Sequence, residues 1–193
     1  HEDRRVRLMA QWELAIRGES DALVAVMKNL ELDPKLRMHG FWAAEHAARL
    51  DPSLRQVAVA AAGELLDDSS EWVRAAACSL LGDQKENGAV ARIIPRIDDE
   101  NSRVSYFATM ALSELIRADA PGSSSKSTEA FDSVVAMTAR NANEDPALRH
   151  AAIRFMTDSV RESDLVGLRT HESVDVRRAA VAALRGKLSE QVA

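Results

Sequence analysis

Apolar positions recur along this chain in one phrase: an aliphatic anchor, usually followed by Arg, with small or apolar residues three, four, seven and eight positions later. The phrase stands at Val6-Arg7 with Met9, Ala10 and Leu14, and at Leu36-Arg37 with Gly40, Ala43 and Ala44. It continues at Val73-Arg74 with Ala76, Ala77, Leu80 and Leu81, and at Val104 with Phe107, Ala108, Ala111 and Leu112. It returns at Leu148-Arg149 and Val176-Arg177. These spacings line one stripe of an α-helix, and recurrence at roughly 30–45 residues is the imprint of stacked helical hairpins.

Each phrase predicts the first helix of a hairpin, over 3–17, 34–49, 70–82, 102–117, 146–158 and 173–186. The stretches between them predict second helices over 20–30, 52–66, 88–98, 128–141 and 162–169. The expected fold is all-α, an α-α superhelix of about five hairpins plus a closing helix, forming one domain over 1–193. Asp33-Pro34, Asp51-Pro52 and Asp145-Pro146 supply an N-cap acceptor followed by a residue with φ already set for the first helical position. Gly18, Gly82-Asp83 and the polar run Gln84-Lys85-Glu86-Asn87-Gly88 mark helix stops. Pro95 falls inside a second helix, where it removes a donor and is expected to kink or shorten it. Residues 118–127, rich in Ser with Pro121 and Gly122, read as a surface loop inserted between the two helices of one hairpin.

Composition narrows the function classes. Much of the 46% hydrophobic content is Ala and aromatics are only 4%, which suits thin helix-on-helix layers. The net charge of -5, from well-mixed 25 basic and 30 acidic residues, argues against a nucleic-acid partner, which needs clustered, uncompensated Lys and Arg. The single cysteine, Cys78, excludes an intrachain disulfide and multi-cysteine metal sites. There is no apolar run of the length needed to span a membrane. The opening His1-Glu2-Asp3, without Met or a signal-like stretch, reads as that of a fragment of a longer protein.

The acidic turn, Val-Arg pair and Ala-rich helix of Leu66-Asp67-Asp68-Ser69-Ser70-Glu71-Trp72-Val73-Arg74-Ala75-Ala76-Ala77 resemble a HEAT repeat. That resemblance covers nearly the whole chain and implies a HEAT-like solenoid whose second helices line the concave face. More narrowly, Arg5-Val6-Arg7-Leu8, Lys35-Leu36-Arg37-Met38-His39, Ser102-Arg103-Val104-Ser105-Tyr106-Phe107-Ala108 and Asn143-Glu144-Asp145-Pro146-Ala147-Leu148-Arg149-His150-Ala151 look like the HEAT segment of large exported bacterial proteins. In those proteins a dehydrogenase-like β-propeller precedes the repeats and a c-type haem domain follows. The likeness implies an exported location and a spacer role; it transfers no redox chemistry, because no Cys-x-x-Cys-His motif is present. Ser105 stands where the fourth repeat would carry its Arg, which breaks an Asp-Arg turn ladder there.

Candidate chemistry is sparse. Asp33 with Arg37, Asp51 with Arg55 and Asp145 with Arg149 read as caps and inter-repeat pairs rather than a functional ridge. His39, His46, His150 and His171 do not share the matching positions on successive hairpins that a metal site requires, and His39 reads as packed or half-buried. No nucleophile elbow, phosphate loop or dinucleotide fingerprint occurs, so no catalytic residue, cofactor or metal is assigned. Among Trp12, Trp42, Trp72, Phe41, Tyr106, Phe107, Phe131 and Phe155, most are expected in the core, with Trp72 at a helix start as the half-exposed exception. Arg92 and Arg96, four apart, share a helix face and with Lys28 and Arg140 form either a basic stripe for an acidic partner or an ordinary solvated face. The candidate partner-binding residues are therefore Lys28, Trp72, Arg92, Arg96 and Arg140, on a non-catalytic scaffold for a protein partner or neighbouring domains. The competing class is a HEAT-like enzyme: a metal hydroxylase, which needs converging His-Glu pairs, or a DNA glycosylase, which needs a basic groove with stacking aromatics.

Overall fold

The computed structural model describes residues 3–116 and 125–192, with side chains through 188. Among them there is no strand. The chain divides into two compact units, 1–86 and 87–193, whose boundary falls in the polar turn after the third anchored helix. The first contains α1 (Arg4–Arg17), α2 (Ser20–Lys28), α3 (Pro34–Leu50), α4 (Arg55–Glu64) and α5 (Glu71–Asp83). In the second are α6 (Val90–Ile93), α7 (Ser102–Ile116), α8 (Ser125–Asn141), α9 (Pro146–Ser159), α10 (Glu162–Gly167) and α11 (Val174–Val192). Each unit has the α-α superhelix architecture: successive first helices pack on one another, α1 on α3 and α3 on α5 in the first unit, α7 on α9 and α9 on α11 in the second. Second helices close the hairpins beside them.

Anchors and small residues form the layers. Val73, Ala77, Val104, Ala108, Ala152, Val176 and Ala180 are buried, as are the larger Phe41, Phe155, Met27 and Leu112. Gly40 is closely packed: a Cβ there would stand 3.0 Å from Val26 Cγ1 and 3.2 Å from the Met27 backbone N. A side chain at this position would push α3 off α2.

The three Asp-Pro starts cap as expected. Asp33 accepts from the Lys35 N–H at 2.8 Å, Asp51 from Ser53 at 2.9 Å and Asp145 from Ala147 at 2.8 Å. After Asp51 the chain makes a 3₁₀ turn, Pro52–Leu54, before α4 begins. Gly18 ends α1 in the left-handed conformation, φ 65°. α5 ends at Asp83, where the Gly82-Asp83 and polar-run stops are expected, but Gly82 lies buried inside the helix and the left-handed angle, φ 53°, falls to Lys85. Pro95 has the expected effect, for α6 ends at Ile93 and Ile94–Asp98 continues as a 3₁₀ turn. Of the expected loop 118–127, residues 118–124 lie outside the described residues, whereas Ser125–Ser127 already belong to α8. The closing helix, expected to end at 186, runs on to Val192.

The turns are held by a repeated polar device. The residue after the anchor reaches back six positions to the turn before its own helix. Arg74 donates to the Asp68 and Ser69 carbonyls at 2.9 and 3.2 Å, and Arg177 to those of His171 and Glu172 at 2.6 and 2.9 Å. Arg149 donates to Asn143 Oδ1 at 2.5 Å. Ser105, without the charge, donates its hydroxyl to the Asp99 carbonyl at 3.2 Å, so the same group is satisfied by a shorter side chain. Arg37 is the exception. It donates to the Met27 carbonyl at 2.7 Å and bidentately to Asp68 at 2.6 and 3.2 Å, with both side chains almost fully buried, at 3% and 4% exposure. None of Arg37, Arg55 and Arg149 bonds the Asp four residues before it; Arg55 instead reaches the Gln84 carbonyl and Glu86.

Removing one partner of a buried, hydrogen-bonded pair strands the other charge, which costs about 3–5 kcal/mol, whereas replacing both by apolar residues is far milder. Arg37→Ala or Asp68→Ala is accordingly expected to lower unfolding free energy by about 3 kcal/mol or more in urea, and Arg37→Met with Asp68→Leu by less than either. A double variant as unstable as the sum of the singles would contradict this.

Candidate interaction surface

Large aromatic side chains distribute otherwise than expected. Phe41 and Phe155 are buried, Tyr106, Phe107 and Phe131 are half-buried, but Trp12 and Trp42 are 50% and 43% exposed. The expectation that these two fill the core is corrected: each is the sixth residue after its anchor, a position that turns away from both the neighbouring first helix and the second helix. Since α1 and α3 pack on each other, the two indoles lie in the same register on adjacent helices. Periodicity held the signal, because the sixth position lies off the stripe of three, four, seven and eight.

His39 ties this ridge together. Its Nδ1 is 2.8 Å from Gln11 Oε1 on α1, and its ring meets Trp42 edge-on, with centroids 5.1 Å apart. Partial burial holds the imidazole pKa below its usual value, and the nearby positive charges of Arg7 and Arg4 add to the effect. His46 and His150 are exposed, and His171 Nδ1 accepts from the Ser173 N–H at 3.1 Å. Among the described residues, no group of three or more His, Cys, Asp and Glu side chains gathers in a way that could hold a metal ion. Nor is any helix among them long and apolar enough to cross a membrane.

The candidates singled out from sequence are divided between the two units. Lys28 lies on α2 and Trp72 on α5 of the first unit; Arg92, Arg96 and Arg140 lie in the second. Lys28 is paired with Glu64 at 2.5 Å. Trp72 is half-buried, with Lys35 Nζ 5.8 Å from its ring centroid. Arg92 is exposed on α6, but Arg96 is half-buried in the 3₁₀ turn, 3.8 Å from Asp99. The shared face expected of this pair required an unbroken α-helix; Pro95 tightens the winding to three residues per turn, which rotates the fourth residue off the face. Arg140 is paired with Asp98 at 2.5 Å. Beside it in the second unit, a groove of about 320 Å³ is lined by Thr138, Asn141, Asn143, Arg149, Ile153 and Asp175 among others.

With this geometry in hand, comparison with known proteins is informative for fold. Residues 59–141 match the family of HEAT repeats. Helical repeats of this kind are generally scaffolds for protein contacts. No curated protein matches the sequence. Among solved structures, the crystal structure of an engineered protein is similar at 15% identity and TM-score 0.48, over 97% of this chain and 92% of that one, too loose an overlap to assign anything further.

Because the folded state disfavours protonated His39, the unfolded chain binds the proton more readily. Stability from this group is therefore complete above the unfolded value near 6.5 and is lost as pH falls through it. Melting from pH 7.5 to 5 should show a decline that is shallower in His39→Gln; an identical slope in the variant would remove His39 as its source.

Proposed function

We propose that the chain is a non-catalytic helical-repeat scaffold that grips a protein partner or a neighbouring domain, with Trp12 and Trp42 as its anchors. The observation that carries this reading is the pair of indoles exposed in register on two mutually packed helices. Tryptophan is the residue most enriched among binding hot spots, and a rigid helical base presents it at little entropic cost. Trp42 is further oriented by His39, which limits the rotamer freedom lost on binding.

Cationic residues take a secondary part. Arg92 is exposed, and an acidic partner reaching Lys28 or Arg140 must displace Glu64 or Asp98, so these contribute specificity and association rate more than affinity. Trp72, half-buried with a lysine over its ring, supplies an edge and not a face.

Trp12→Ala with Trp42→Ala is expected to weaken capture of the partner by at least about tenfold, as a hot-spot pair should, while the melting temperature stays close to that of the parent. Arg92→Glu with Arg96→Glu should weaken it by a smaller factor that shrinks as salt is raised. Full affinity in the tryptophan double variant would exclude the ridge.

A further inference from the structure

The second unit has a groove at the place where the first unit carries a tryptophan. The sixth residue after the anchor is Trp42 on α3 but Ala182 on α11, and Ala182 lines the groove of about 320 Å³ that runs beside α9. Ile153, fifth after its anchor, and Ala179, third after its own, line it too, in the register that sets His39 of α3 against Gln11 of α1. The sixth position is open even where a first helix packs on either side. Trp42 is 43% exposed on α3, between α1 and α5, and the Arg154 side chain is 40% exposed on α9, between α7 and α11. Access to the groove therefore follows from the register and does not depend on what lies beyond α11.

The rim of the groove is cationic. Arg74 and Arg177 each direct the guanidinium to two turn carbonyls, whereas Arg149 donates to Asn143 Oδ1. That acceptor is a neutral amide oxygen, so no carboxylate offsets the Arg149 charge, and one of its five guanidinium donors is used. The wall that carries it is well defined: Ala142 and Asn143 are both left-handed, φ 44° and 62°, and the Asn141 amide donates to and accepts from the Asp145 backbone at 3.0 Å. Across the groove the exposed Arg178 is paired with Asp175 at 3.2 Å, a surface ion pair that contributes little and yields readily to another carboxylate. Two guanidinium groups thus border an apolar floor, with Asp175 alone to offset them.

We propose that this groove docks an acidic segment of a partner protein, with an aliphatic side chain seated on Ile153, Ala179 and Ala182 and carboxylates beside it held by Arg149 and Arg178. The charge complementarity selects the occupant: the rim calls for a carboxylate, and Arg149 can receive one through a pair of parallel donors. The floor calls for a side chain without polar atoms, and the volume is at the small end of the range of ligand sites, roughly 300–1,000 Å³, which suits one side chain and its neighbours rather than a whole helix. Such a segment supplies what Ala182 lacks, filling from outside the place that Trp42 fills from within its own chain. The site lies in the other unit from the tryptophan ridge and recognises charge as well as shape.

The probe is a short, capped, fluorescently labelled peptide with one leucine between two glutamates, titrated with the whole chain and read by anisotropy. Saturable binding is expected, and it should weaken as salt is raised. Glutamines in place of the glutamates, or serine in place of the leucine, should weaken it by about tenfold or more, since each removes one of the two recognised features. Arg178→Glu, at an exposed position, should do the same. Ala182→Trp, which installs the first unit's residue at this place, should block the groove, and circular dichroism checks that both variants stay folded. Trp12→Ala with Trp42→Ala should bind the peptide as the parent does, so that failure of the groove and failure of the ridge are told apart. A parent that does not bind, equal affinity for the glutamine peptide, parent-like binding by Arg178→Glu, or loss of binding in the tryptophan double variant would each overturn the proposal.

Discussion

Burial of anchor stripes between successive first helices within each unit, α3 against α5 and α9 against α7 and α11, is the constraint on which the rest of this molecule depends. An anchored helix such as α5 or α9 carries more apolar surface than its own second helix can cover, so its stability is borrowed from a neighbour. The small residues of the phrase make that loan possible by letting axes approach, as at Gly40 against α2 and Gly186 against α9. α1 buries only Ala15 among its residues, whereas most residues of α5 and α7 are buried.

Apolar stacking sets spacing but not angle, and here the turns do the orienting. The side chain after the anchor reaches back to carbonyls that would otherwise lack a partner at the corner, and this is as well served by the Ser105 hydroxyl as by an Arg guanidinium. Charge is thus incidental to the device; the donor is what matters. Arg37 is different, because it spans from the Met27 carbonyl to Asp68 in a nearly dry environment and so joins two successive hairpins of the first unit. Such a pair adds little net energy over an apolar filling, yet it admits one geometry only, which is valuable where layers of Ala would tolerate sliding.

The surface left over is what a scaffold offers. Side chains at the sixth position after the anchor belong to no layer, and in the first unit that place is given twice to tryptophan. The basic residues that seemed the more natural partner site are largely engaged with carboxylates of their own unit.

Local rules written into the sequence determined the helices and their caps. The i, i+3, i+4 stripe, the three Asp-Pro starts, the break at Pro95 and the left-handed Gly18 all act within one or two turns, so they can be read without knowing what lies alongside. Tertiary structure alone decided which stripes are covered. Nothing local distinguishes the exposed Val6 from the buried Val73, whereas the place of Trp42 off the stripe was already legible in the periodicity. After α5 the left-handed angle fell to Lys85 and not to a glycine, Gly82 being buried inside the helix, and Arg37 became a buried bridge because Asp68 lay within reach. Propensity is a property of a residue and its near neighbours in sequence, whereas burial and partner choice depend on chain brought in from tens of residues away.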